Sequence, residues 1–128
     1  MEVNEILDKN EVPLKKLYEY LHHGRKKYMT LRDSIELVNG RAQMKMTENC
    51  IGNCFAFSMM TVLDALKDGA RANQMKYVEF LEFIGRISYE YFRGKEEETL
   101  YLYEKIDRVL SILFRAINTS KTFSILPN

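Results

Sequence analysis

The chain predicts an all-α fold, two helix-loop-helix units followed by an additional C-terminal amphipathic helix. Three observations carry this expectation. Apolar residues recur at three- and four-residue steps along most of the chain, and nowhere do they alternate with a period of two. Only Pro13 and Pro127 occur, and glycine is sparse, so long helices are permitted and few sharp turns are signalled. Finally, residues 29–38 return as residues 75–84: Met29 over Met75, Asp33 over Glu79, Ile35 over Leu81, Glu36 over Glu82, then Leu37 and Val38 over Phe83 and Ile84. A motif that recurs in this way marks one supersecondary unit used twice.

The elements follow in order. Val3, Ile6 and Leu7 support a short amphipathic turn over residues 2–8. Pro13 suits the first position of a helix reaching Leu21, with Leu14, Leu17, Tyr18 and Leu21 on one face. Gly24 and three consecutive cations interrupt it. Helical spacing resumes from Leu31 to Asn39, where Gly40 offers a left-handed stop. Thr47 caps the next helix, whose stripe runs through Ile51, Phe55, Met59, Val62, Leu63 and Leu66. Residues 68–74 break that stripe, and Val78, Leu81, Ile84, Ile87 and Tyr91 restore it. Gly94 closes this unit. A last helix over residues 95–118 carries Tyr103, Ile106, Leu110, Leu113 and Ile117, with Glu96, Glu97 and Glu98 at its positive end. One domain, 1–128, is expected, with units at 13–39 and 47–93 and the added helix at 95–118.

Composition narrows the function. A chain of 128 residues, 46% hydrophobic and 29% charged, suits one compact domain rather than a disordered or fibrous one. With a formal charge of +1, no global field draws it to nucleic acid or an anionic membrane, and protein partners are expected instead. Neither a membrane span nor a signal segment is read, so a cytoplasmic location is expected. The fifteen tyrosines and phenylalanines fall at helical spacing beside Leu and Ile, which favours core packing over base stacking. No phosphate cradle, nucleophile elbow or paired His-acid motif is present, so neither catalysis nor a cofactor is expected. Cys50 and Cys54 share a helix face as reduced thiols, and their spacing is unlike that of structural zinc sites even with His22 or His23 added.

Residues 54–66, Cys-Phe-Ala-Phe-Ser-Met-Met-Thr-Val-Leu-Asp-Ala-Leu, followed by residues 75–87, Met-Lys-Tyr-Val-Glu-Phe-Leu-Glu-Phe-Ile-Gly-Arg-Ile, carry a resemblance to a known family. Together with the repeat, they make residues 13–91 resemble a degenerate pair of EF-hands, similar to calcium-independent modules of cytoskeletal and ciliary proteins of protists. The resemblance implies that Met29 and Met75 occupy the eighth positions of two loops, where short strand-like contacts join paired hands.

In that frame Asp68 and Glu79 hold positions one and twelve of the second loop, while Ala70 and Ala72 stand where oxygen ligands belong and Lys76 adds a positive charge. The first loop runs from His22 to Asp33 and is cationic at Arg25, Lys26 and Lys27, which repels a divalent ion. Asp68 and Glu79 are therefore vestigial, and no metal is expected. The three cations form an anion-patch candidate, against the competing reading of a solvated surface run. Met59 and Met60, with Phe83 and Ile87 on the following helix, are the candidate partner-binding residues, against a competing role in the core. The expected function is a non-catalytic, calcium-independent interaction or scaffold module that takes a helix or a cytoskeletal element, in a cytoskeletal or ciliary setting. The alternative is a weak calcium-binding regulator using the second loop.

Overall fold

A computed structural model describes residues 2–21, 28–62 and 74–118, with the side chains of residues 60–62 outside that description. The described residues are all-helical: α1 (Val3–Lys9), α2 (Glu11–Leu21), α3 (Leu31–Ile35) continuing into a π-helical segment (Glu36–Arg41), α4 (Glu48–Val62), α5 (Tyr77–Tyr91), a 3-10 turn (Glu96–Thr99) and α6 (Leu102–Asn118). An all-α architecture is thus observed.

Helix α2 begins at Glu11, two residues before Pro13, so the proline sits inside the first turn, where its missing N–H still costs no intrahelical bond. Its face of Leu14, Leu17, Tyr18 and Leu21 is buried as its spacing predicts. Helix α3 opens on a reciprocal cap: the Asp33 amide donates to Thr30 Oγ1 at 3.2 Å, and the Thr30 amide donates to the Asp33 carboxylate at 2.9 Å.

The end of this unit corrects an expectation. Gly40 is not a left-handed stop but lies within the π-helical segment, in which the Ala42 amide reaches the Leu37 carbonyl at 2.9 Å. The chain is turned instead by Gln43 and Lys45, at φ 52° and 59°. Asn39 holds the turn together, donating from Nδ2 to the Met46 carbonyl at 2.7 Å and accepting from the Met46 amide at 3.0 Å. Its side-chain amide replaces a peptide partner at both groups of one residue, so the connection to α4 is pinned. Helix α4 then starts on its expected cap, with the Cys50 amide donating to Thr47 Oγ1 at 3.1 Å.

At the other end Gly94, at φ 77°, turns the chain after α5 in the left-handed conformation that glycine adopts without strain. The final helix starts later than its charge pattern predicts: Glu96, Glu97 and Glu98 lie in the separate 3-10 turn, and α6 begins at Leu102.

The core draws on every helix. Ile51, Phe55 and Met59 of α4 meet Phe80, Phe83, Ile84 and Ile87 of α5, and Ile106, Val109, Leu110, Leu113 and Ile117 of α6 join them. Helix α6 packs against α1, α2, α5 and the π-helical segment, so its apolar face is covered within the chain. Buried serines do not disturb this packing, because each bonds one helical turn back: Ser34 to Thr30, Ser58 to Cys54 and Ser88 to Ile84.

Candidate functional site

Two features bear on function: the junction joining the repeated motifs, and a groove on the outer side of α4 and α5.

The junction is built on Met29 and Met75. Their backbones form an isolated antiparallel bridge, Met29 N–H to Met75 O at 2.8 Å and Met75 N–H to Met29 O at 2.7 Å. Both side chains are fully buried. The Met75 carbonyl has a second lone pair, and the Tyr18 hydroxyl of α2 donates to it at 2.8 Å. Tyr18 in turn packs its ring against Tyr77 and Phe80, at 5.7 and 5.6 Å between centroids. Sequence reasoning placed Tyr18 on a core face, and its hydroxyl bond to a residue 57 positions away has no local signal.

The repeat extends from pattern to geometry. One residue after each bridge residue comes a helix cap, Thr30 or Lys76, and three residues later an acid folds back onto the cap amide. Asp33 accepts from Thr30 N–H at 2.9 Å, and Glu79 accepts from Lys76 N–H at 2.7 Å. Lys76 has no side-chain acceptor to return the bond, as Thr30 does. Glu79 is only 1% exposed, so its carboxylate is committed to the interior at the start of α5. Asp68, paired with Glu79 in the expected loop, lies outside the described residues, as do His22, His23, Arg25, Lys26 and Lys27. Among the described residues no group of three His, Cys, Asp or Glu side chains converges to hold a metal ion.

The candidate partner-binding residues are placed differently from expectation. Met59, Phe83 and Ile87 are buried at 3%, 0% and 0%, so in this conformation they form core rather than contact surface, while the Met60 side chain lies outside the described part. The reason is geometric. Helices α4 and α5 are apolar on more than one side, and the side holding these three residues packs inward on the other helices.

Their outer sides form the walls of a groove of about 960 Å³. Cys50, Cys54 and Phe57 line it from α4, and Val78, Leu81 and Tyr89 line it from α5. Phe57, Val78 and Tyr89 are each more than half exposed. Arginines edge it: Arg86 pairs with Glu82 at 3.2 Å and lies over the Phe57 ring, and Arg93 pairs with Glu90 at 3.4 Å and lies over the Tyr89 ring. Because each arginine is compensated by a glutamate of α5, the groove presents apolar area without a net sign. Phe57 lies off the stripe of α4, and that was the available signal; Val78 was expected on the buried stripe of α5 but is 62% exposed, because it starts the helix on the side turned away from the other helices.

Both thiols face this groove and are free. Burial pushes the Cys54 thiol up to about 12, helped by the neighbouring Cys50 and Glu90. Burial also raises Cys50, though the hydrogen bond it receives from Cys54 and the charge of Arg93 work the other way. Both are protonated near neutral pH, which makes them poor nucleophiles.

No protein-family model, no curated protein and no solved structure matches this chain. Among the described residues no helix is long and apolar enough to cross a membrane.

Proposed function

We propose that this chain is a calcium-independent, EF-hand-like interaction module that binds the apolar face of a partner helix and carries out no bond chemistry. The observation that carries the reading is the paired arrangement at the junction: two bridge residues joined back to back, each followed by a cap and an acid that bonds the cap amide. In a calcium-binding hand the acid at the twelfth position is a metal ligand. Here Glu79 is used as a helix cap, Lys76 puts a cation beside it, and methyl groups stand at two further ligand positions.

The groove between α4 and α5 supports the choice of partner. Its apolar walls and charge balance suit a helix that presents residues at three- and four-residue spacing, and its stabilisation comes from burying apolar area. A cytoskeletal or ciliary element is the setting we propose, on the resemblance of residues 13–91.

A photo-crosslinking residue placed at Phe57 or Val78 tests this in cell extract, with calcium and with chelator. The reading expects the same protein captured in both conditions, and Val78→Asp, at an exposed position, to abolish capture without unfolding the module. Calcium-dependent capture, or heat on titrating calcium into the pure protein, overturns calcium independence. Capture that persists in Val78→Asp overturns the groove.

A further inference from the structure

We propose that Cys50 and Cys54 form a two-coordinate site for a soft monovalent cation of the copper(I) or silver(I) class. The two residues stand one helical turn apart on α4, which stacks their side chains on one face. That face lines the groove, and the two thiols are close enough for each to influence the ionisation of the other. Cys54 is buried at 5% exposure while Cys50 is half-buried, giving one anchored ligand and one at the mouth through which an ion enters.

The ligand set selects the ion. Sulfur is a soft donor that favours copper(I) over magnesium or calcium. Zinc asks for four ligands, or three and a water, and among the described residues no third His, Cys, Asp or Glu side chain joins the pair. Two sulfurs are enough for a d10 monovalent ion, which accepts linear coordination.

Binding is a proton exchange without oxidation or reduction. Each thiol releases its proton to solvent as its sulfur bonds the metal, leaving one cation between two thiolates with a net charge of −1. The charged groups facing the thiols divide: Glu90 of α5 opposes that negative charge, while Arg93 near Cys50 and Arg86 near Cys54 favour it.

Anaerobic titration of the full chain with copper(I), in competition with a coloured copper(I) chelator, tests the site. One copper per chain is expected, with an X-ray absorption spectrum showing two sulfur neighbours. Cys50→Ser, at the more exposed position, should weaken binding by more than about 100-fold, beyond what losing an outer-sphere partner does. Circular dichroism should show its helix content unchanged. Cys54→Ser is the second arm, read only if it stays folded, and silver(I) should compete at the same stoichiometry. Copper bound equally well by Cys50→Ser, a spectrum with nitrogen or thioether neighbours, or no binding at one equivalent each overturns the proposal. The site lines the groove offered to the partner helix, but the titration is run on the pure chain, so copper binding and partner capture are read separately.

Discussion

Tyr18 and Cys54 show how much one side chain settles in this molecule. The Tyr18 hydroxyl ties α2 to the junction by a buried bond to the Met75 carbonyl, so Tyr18→Phe removes a donor while Met29 N–H continues to satisfy the acceptor. A loss of about 0.5–1.5 kcal/mol is expected, read from the urea midpoint at constant slope. Cys54 makes the fold sensitive to alkali. Its thiol ionises near its ordinary 9.0 in the unfolded chain but only at about 12 in the folded one. Between those values the unfolded state has lost a proton that the folded state retains, so stability is fully present below pH 9 and falls as pH rises. Urea midpoints should therefore decline from pH 9 upward in the native chain and decline less in Cys54→Ala, and the difference between the two isolates this thiol. Equal slopes in the two proteins would remove Cys54 as the cause.

At the scale of the element, caps and pins decide where helices begin. Thr30→Ala takes away the hydroxyl that receives the Asp33 amide, and a loss of about 1 kcal/mol in chemical denaturation is expected. Asn39→Ala strips the Met46 amide and carbonyl of their partner together, and should cost roughly 1–3 kcal/mol unless water replaces the side chain. Local chemistry made some of these boundaries legible. Thr47 before an apolar stripe announces a helix start, and Gly94 after Tyr91 announces an end. The π-helical segment was not legible, because one extra residue in a turn leaves the three- and four-residue spacing of Leu31, Ile35 and Val38 unaltered. Gly40 looked like a stop for the same reason; with the helix widened it lies inside, and Gln43 and Lys45 make the turn.

For the whole molecule, α6 is the element whose removal matters most. Val109, Leu110 and Leu113 are exposed by no more than 1%, and they close a core shared with α1, α2 and α5. Leu113→Ala should lower stability by about 2–5 kcal/mol, measured by guanidinium denaturation, since a cavity opens where several helices meet. A chain ending at Phe92 should lose its cooperative unfolding transition and aggregate, because the apolar surface that α6 covers is then open to water. A truncated chain that stays monomeric and equally stable would show α6 to be an accessory.

The amino-acid sequence alone determined the helical class, most helix positions and the meeting of Met29 with Met75. The first two follow from local spacing, and the third is what the resemblance of residues 13–91 to a pair of EF-hands implies. Tertiary structure alone decided which side of α4 and α5 faces solvent. Met59, Phe83 and Ile87 were as apolar as Phe57 and Val78, and a helix with two greasy sides offers both for burial. Packing against the other helices chose one, because only one side can meet them, and the side left over became the groove.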